Sequence, residues 1–199
     1  PELYEFDRKL TETWGTICGV DEAGRGPLCG PVAVAAVILD PQAPILGVDD
    51  SKKLSEKKRE ALYQQIMEKA FDVSVVLVQP EEIDKLNILH ATMKGMAQAI
   101  SNLKEVPALA LIDGNRCPPT DVKCQAVVKG DANSAAIAAA SIVAKVTRDH
   151  YMMELDKQYP QYQLAKHKGY PTKLHYELLD AYGVAPFYRK SFLKKRGYV

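Results

Sequence analysis

Long apolar segments are missing from this sequence. No run of apolar residues reaches the roughly 18–20 that a helix needs to span a bilayer. The N-terminal residues also lack the apolar stretch of a secretory signal. We therefore expect a soluble, cytoplasmic protein with no membrane partner.

Cysteine and histidine motifs for metal binding are also missing. The four cysteines form no Cys-x-x-Cys pair, and the four histidines have no zinc-site spacing. Two of the cysteines lie in apolar, strand-like runs, which favours reduced structural thiols over disulfides or zinc. The cysteines are Cys18, Cys29, Cys117 and Cys124, and the histidines are His90, His150, His167 and His175.

The two common nucleotide-binding loops are absent as well. No Gly-x-x-x-x-Gly-Lys-Ser/Thr phosphate loop occurs in the chain. The segment from Gly24 to Gly30 approaches a Gly-x-Gly-x-x-Gly fingerprint, but Cys29 stands where the third glycine is required. The sequence therefore gives no support for a dinucleotide or P-loop nucleotide site.

The chain does have the composition of an ordinary globular protein. Its 199 residues are 47% apolar and 26% charged, with a formal net charge of +1. This length suits one domain with a full core, or one domain with a small appendage. No internal repeat or low-complexity segment is present.

Apolar periodicity predicts strands and helices that alternate along most of the chain. β-branched runs predict strands over about 16–20, 31–39, 71–78, 109–112 and 122–128. Helical patterns and capping residues predict helices over about 2–10, 56–70, 88–103, 134–159 and 172–182, with a short helical stretch opened by Pro80. This order predicts an α/β fold.

Two adjacent acids follow the first predicted strand and form the centre of the most informative motif, Gly19 to Pro27. Asp21 and Glu22 repel each other and lose solvation at the end of a buried strand, unless they share a cation. Oxygen ligands suit Mg²⁺ or Mn²⁺. An Asp-Glu pair taken alone is more often a solvated turn, so the wider pattern decides.

The same pattern recurs twice further along the chain. Asp113 ends the fourth predicted strand, and Asp131 follows the fifth, just before a helix. Because functional residues gather at strand ends in sheet proteins, we expect these acids to meet Asp21 and Glu22. Four carboxylates can hold two divalent ions, which suits hydrolysis of a phosphodiester.

Basic residues with access to phosphate accompany the acids. Arg25 lies between two glycines, where a ligand can approach the backbone closely. The segment Asp50 to Leu54 is a cationic helix entrance, although a solvated charged helix start is an equal alternative. The C-terminal residues 161–199 carry eight basic side chains against two acids: Lys166, Lys168, Lys173, Arg189, Lys190, Lys194, Lys195 and Arg196.

Taken together, these motifs resemble the bacterial ribonuclease HII family over about residues 16–192. Beside the acid motif at 19–27, the matching segments are Asp49 to Leu54, Ile112 to Gly114, Lys129 to Asp131, Ala138 to Asp149 and His167 to Thr172. Ribonuclease HIII would be expected to read Asp-Glu-Ser-Gly-Lys-Gly-Asp at the first acids. Ala23, Arg25 and Pro27 fit type HII better.

The resemblance implies a ribonuclease-H-like mixed β-sheet flanked by helices, with a small helical C-terminal segment. It places a catalytic domain at 1–160 and a substrate-binding segment packed on it at 161–199. It implies a monomeric endoribonuclease that cuts on the 5′ side of ribonucleotides in RNA/DNA hybrids and in duplex DNA. The products would be a 3′-hydroxyl and a 5′-phosphate.

The resemblance also implies roles for individual residues. Asp21, Glu22, Asp113 and Asp131 would be the catalytic acids, binding two Mn²⁺ or Mg²⁺ ions. Gly24, Arg25, Gly26 and Tyr170 would read the ribose 2′-hydroxyl and the adjacent phosphate. Further phosphate contacts would come from Ser51, Lys52, Lys53, Lys145 and Arg148. Two alternatives remain at this point: a metal-dependent exonuclease on a similar fold, and a nucleic-acid-binding module with structural acids.

Overall fold

Five strands form one mixed sheet in the computed structural model, which describes residues 2–199. The order across the sheet is β3-β2-β1-β4-β5. β1 pairs antiparallel with β2, and β2 with β3, whereas β4 pairs parallel with β1 and with β5. The strands are β1 Ile17–Ala23, β2 Val32–Ile38, β3 Asp72–Val78, β4 Leu109–Asp113 and β5 Cys124–Val127. The predicted strands and the mixed sheet are confirmed.

Seven α-helices connect and cover the strands: α1 Glu2–Trp14, α2 Glu56–Lys69, α3 Pro80–Leu86, α4 Ile88–Ser101, α5 Ala135–Gln158, α6 Leu164–His167 and α7 Lys173–Tyr182. Side chains of Ser55, Asn87 and Thr172 cap α2, α4 and α7 as predicted. α1 runs one turn beyond its predicted end, as far as Trp14, and is followed by Gly15 at φ +102°. Among residues 2–199, no helix is long and apolar enough to cross a membrane.

Helices cover both faces of the sheet, and β2 shows the division most clearly. Val34 and Ala36 face a cluster formed with α3 and α4. Ala35 and Val37 face α2 and α5 on the other side. Every residue of β2 is buried, because alternate residues of a strand point to opposite faces and helices cover both.

The long helix α5 lies directly against β1, and one glycine permits this contact. A Cβ added at Gly19 would lie 2.2 Å from the backbone carbon of Ala136. Any side chain at Gly19 would therefore push α5 away from the sheet. This close contact matters because it brings together two of the three acid-bearing segments, β1 and the residues before α5.

The C-terminal segment is not separate from the rest of the core. Leu164, Leu179 and Tyr188 share a buried cluster with Cys29 and with Met152 of α5. The boundary predicted at residue 160 stays a prediction. What the contacts establish is that this segment packs against the turn that follows β1.

Candidate active site

Parallel pairing of β1 with β4 places two acids side by side. Val20 pairs with Ile112, so the next residues, Asp21 and Asp113, are neighbours on the face that α5 covers. Asp131 lies in a short 3₁₀ turn, Gly130–Ala132, just before α5. One carboxylate oxygen from each of these three acids lies within 4.8 Å of the others. The structure thus brings together three of the four predicted acids.

Glu22 is not part of this three-acid group, but it lies close enough to Asp21 and Asp113 for their charges to interact. Its Oε1 is 3.7 Å from Nη1 of Arg25. Its Oε2 is buried and has no hydrogen-bond partner among the described residues. An unpartnered buried carboxylate oxygen is costly, so the site as folded needs a ligand there.

The surroundings disfavour the charged forms of these acids. Burial, and then the charges of Glu22 and Asp113, raise the pKa of Asp21 well above its usual range. Burial also raises the pKa of Glu22, although Arg25 opposes this effect. Burial and the neighbouring acids Asp113 and Asp50 raise the pKa of Asp131 to about 6.

A divalent cation fits this set of donors. All the donors are hard oxygens, the type of ligand that Mg²⁺ and Mn²⁺ prefer. A cation among them would remove the repulsion that raises the pKa values, and it would satisfy Glu22 Oε2. The residues present therefore suit the metal that the sequence predicted.

Asp50 is a fifth acid near the site, and the sequence did not predict that its carboxylate would lie there. Its carboxyl lies close enough to Asp131 to raise the pKa of that group, and it also accepts a hydrogen bond from the Lys52 backbone. Lys52 is close enough to counter the raised pKa of Asp131. The sequence placed the segment from Asp50 to Leu54 near phosphate, but its proximity to Asp131 depends on the tertiary structure.

The turn after β1 lies beside Tyr170. Gly26 is exposed, and a Cβ added there would meet only Cε1 of Tyr170, at 3.9 Å. A backbone hydrogen bond holds the segment of Tyr170 next to this turn, because Leu28 N donates to Gly169 O at 2.8 Å. The tyrosine itself is 36% exposed, so its ring is available to a ligand next to Gly26.

Gly24 and Gly26 are glycines for different reasons. Gly24 has φ +91°, and a Cβ there would lie 2.1 Å from Nε of Arg148. The fold itself therefore requires glycine at position 24. At Gly26 the folded protein has room for a side chain, so the fold does not require glycine there. The predicted close approach of a ligand would explain a glycine at this position, but it is not needed to explain Gly24.

Two predicted phosphate contacts need correction because they are buried. Arg148 is 1% exposed, and its guanidinium donates to the carbonyls of Pro31, Lys168 and Cys29. Ser51 is 6% exposed, and its hydroxyl accepts a hydrogen bond from Ser141 of α5. Both side chains hold protein segments together rather than face a ligand.

The other predicted basic contacts differ in their surroundings. Lys52 and Lys53 are exposed. Lys145 is partly buried and forms an ion pair of 3.0 Å with Asp149. Arg189 was predicted to belong to the basic surface of the C-terminal segment. It is fully buried, so it does not contribute to that surface.

Two buried histidines support Tyr170, and sequence reasoning assigned them no role. The rings of His167 and His175 stack with centroids 3.9 Å apart. His175 donates from Nδ1 to the Tyr170 carbonyl, which leaves Nε2 to accept from the Tyr188 hydroxyl. Burial, and then the His167 ring, lower the pKa of His175 to about 4, so it is neutral at neutral pH.

The lowered pKa of His175 makes the free energy of unfolding depend on pH in the acidic range. The unfolded chain binds a proton at His175 near pH 6.5, whereas the folded protein resists protonation down to about 4. We expect this histidine to contribute a decrease of ~3 kcal/mol in the free energy of unfolding as the pH decreases through this window, whereas the raised pKa values of Asp21 and Asp131 contribute with the opposite sign. Urea unfolding at a series of pH values measures the dependence, and His175→Gln should remove the contribution of the histidine. His90→Gln, at an exposed histidine, should leave it unchanged. Equal slopes in both variants would contradict the assignment.

Comparison with known proteins adds independent findings. The family model for ribonuclease HII matches residues 18–195. A ribonuclease HII of Vibrio parahaemolyticus is 63% identical over 191 residues, covering 96% of this chain and 90% of its own length. The crystal structure of ribonuclease H2 from Pyrococcus horikoshii OT3 has a TM-score of 0.80 at 28% identity, covering 92% of this chain and 96% of that chain. RNase HII from Archaeoglobus fulgidus, solved in a complex with PCNA, has a TM-score of 0.76 at 28% identity, covering 89% and 94%.

Proposed function

Because the chain belongs to the ribonuclease HII family of endoribonucleases acting on RNA/DNA hybrids, we propose that it also cuts beside single ribonucleotides in duplex DNA. The phosphodiester on the 5′ side of the ribonucleotide is hydrolysed. Water adds to phosphorus, the 3′ oxygen leaves as a hydroxyl, and the phosphate stays on the ribonucleotide. The observation that carries this proposal is the three-acid group at the end of β1, the strand that leads into the glycine turn, together with the proximity of Tyr170 to Gly26 of that turn.

The four acids are proposed to hold two divalent ions, Mn²⁺ or Mg²⁺. Asp21, Asp113 and Asp131 supply oxygens that already converge, and Glu22 supplies the unpartnered Oε2. When bound, such ions activate the attacking water and stabilise charge on the leaving oxygen. The chain itself contributes alignment, because β1, β4 and α5 hold these carboxylates in a rigid, buried frame.

The turn from Gly24 to Gly26 is proposed to read the 2′-hydroxyl. Neither the Arg25 nor the Gly26 backbone N–H donates to another group among the described residues. A 2′-hydroxyl is both donor and acceptor, and it is the group that separates RNA from DNA at one sugar. Tyr170 packs its ring on the same sugar, and Arg25 reaches the adjacent phosphate.

Lys52, Lys53 and Lys145 are proposed to bind phosphates on either side of the acids. The 3₁₀ turn Ser51–Lys53 is held by Arg59, which donates to the carbonyls of Ser51 and Leu54. A rigid turn of this kind presents its lysines at a defined place next to Asp131. Exposed lysines of the C-terminal segment extend the basic surface.

The proposed function is tested with a duplex that contains one internal ribonucleotide. With Mn²⁺ or Mg²⁺, the protein should cut it once on the 5′ side of that nucleotide and leave the matched all-DNA duplex intact. Chelation of the metal should stop the reaction. Equal cutting of both duplexes would refute ribonucleotide recognition, and progressive release of end nucleotides would indicate an exonuclease.

Lysine side chains that bind phosphate make duplex binding salt-dependent. We expect Lys52→Ala combined with Lys53→Ala to reduce the slope of log affinity against log salt by about 0.9 for each phosphate that the protein no longer neutralises. Fluorescence anisotropy of a labelled duplex over a salt series measures the slope. The matched control is Lys69→Ala with Lys104→Ala, two exposed lysines near the opposite end of the strands. If the double variant of Lys52 and Lys53 has the same slope as wild type, these lysines do not contact phosphates of the duplex.

A further inference from the structure

Arg189 makes an unusual set of contacts for a residue in a basic segment. It is fully buried, and its guanidinium donates only to backbone carbonyls of the turn after β1. Nη2 donates to Gly24 O at 2.7 Å, and Nε donates to Gly30 O at 2.9 Å. Nη1 donates to Arg25 O at 3.0 Å and to Pro27 O at 2.8 Å. One side chain thus forms hydrogen bonds with four carbonyls of a single turn.

These contacts determine where the opposite edges of the same peptides point. In a trans peptide the N–H points away from the C=O, and no cis peptide is present among the described residues. The Gly24 and Arg25 carbonyls face Arg189, so the N–H groups of Arg25 and Gly26 face away from it. These are the two amides that have no partner within the described residues.

An ion pair does not explain why an arginine occupies this position. Within residues 2–199, no carboxylate lies within salt-bridge distance of Arg189. Asp84 instead accepts from the backbone N–H groups of Lys190 and Ser191, which anchors the segment that carries Arg189. Carbonyl oxygens of the turn supply all the hydrogen bonds of the guanidinium, and the Phe192 ring lies 5.2 Å from its Cζ. The hydrogen bonding of the guanidinium therefore depends on the turn having this conformation.

Arg148 completes the arrangement from the other side. It donates to Cys29, Pro31 and Lys168, and its Cζ lies 5.7 Å from the centroid of the Tyr170 ring. Arg148 thereby links the later part of the turn to Tyr170. Within residues 2–199, only Arg189 donates to the Gly24 and Arg25 carbonyls, so substituting Arg189 tests this part of the turn separately from Arg148.

We propose that Arg189 is a positioning residue for ribonucleotide recognition, which holds the Gly24–Gly26 turn so that the Arg25 and Gly26 amides face the substrate. The inference rests on the proposed function of that turn. Arg189 does not touch the substrate. Its effect comes from removing the freedom of the turn before the 2′-hydroxyl arrives.

The test uses Arg189→Lys, which keeps the charge and loses the planar fork. A lysine ammonium cannot span the carbonyls from Gly24 to Gly30. We expect the single-turnover rate constant on a duplex with one ribonucleotide to fall about tenfold to a hundredfold. The affinity for that duplex, measured in chelator, should stay close to that of wild type.

A merely structural role would give a different result. Ile66→Ala removes a fully buried side chain of α2, a helix that makes no hydrogen bond to the turn among the described residues, and serves as a destabilising control. Loss of folded protein lowers the amplitude of single-turnover cleavage without changing its rate constant. A rate constant for Arg189→Lys equal to wild type, with or without reduced amplitude, would overturn the proposal.

A measurement on the wild-type protein keeps the proposal testable if Arg189→Lys does not fold. The amides of Arg25 and Gly26 should show NMR order parameters near about 0.85, although they lie in a loop. Values below about 0.6 would mean that the turn is not held, and would overturn the proposal. If wild type fails to distinguish the ribonucleotide duplex from all-DNA duplex, the proposed function fails, whatever these amides show.

Discussion

Asp113→Asn is expected to abolish cleavage while leaving duplex binding largely intact. Asp113 lies next to Asp21 and within 4.8 Å of both partner acids, so a neutral amide would remove one metal ligand. Losing a ligand of a catalytic ion should cost several kcal/mol, or about a hundredfold or more in rate. Single-turnover cleavage of the one-ribonucleotide duplex, with affinity measured separately, checks both parts.

Metal binding by the same variant can be followed without activity. A divalent ion that binds only the folded protein raises the melting temperature of wild type, and this rise should be smaller in Asp113→Asn. Asp121→Asn, at an exposed acid of the following loop, is the matched control and should resemble wild type in both assays. Retention of more than about a tenth of wild-type turnover in Asp113→Asn would contradict the two-ion assignment.

Tyr170→Ala is expected to lose most cleavage of the one-ribonucleotide duplex and to bind that duplex almost as well as wild type. The backbone of Tyr170 is held by His175 and by its own turn, so removing the ring should leave the turn in place. What the variant would lose is the surface next to Gly26 that is proposed to contact the sugar. A defect in positioning lowers the rate constant more than the affinity.

Tyr170→Phe separates the ring from its hydroxyl. If packing on the sugar dominates, the phenylalanine variant should keep most of the activity that Tyr170→Ala loses. Tyr182→Ala, at an exposed tyrosine at the end of α7, controls for removal of an aromatic ring from the C-terminal segment. Full activity in Tyr170→Ala would refute the role of this tyrosine and leave the metal site unaffected.

The sequence by itself determined the helices, the strands and the identity of the acids. β2 was predictable because a continuous β-branched run suits a strand buried on both faces, and it is buried throughout. The caps at Ser55 and Thr172 were predictable because the capping hydrogen bond closes within three residues. Acids that directly follow apolar strands are likewise a local pattern.

Only the tertiary structure decided how these elements combine into a site. The parallel register of β1 with β4 places Asp21 beside Asp113, whereas Glu22, although next to Asp21 in the sequence, stays outside the group that Asp131 completes. Neither relation follows from spacing along the chain. The contribution of Asp50 also depends on how a loop folds back onto the residues before α5.

Three arginines show most directly why the contacts of a side chain could not be predicted from the sequence. Arg25, Arg148 and Arg189 have the same chemistry in the sequence, and all three suited a contact with phosphate. In the structure Arg25 is exposed, whereas the other two are buried because carbonyls from distant segments satisfy them. For Arg189 the partner Gly24 lies 165 residues away in the chain. A guanidinium binds a phosphate or a group of carbonyls with the same donors, and only the fold determines which of them it meets.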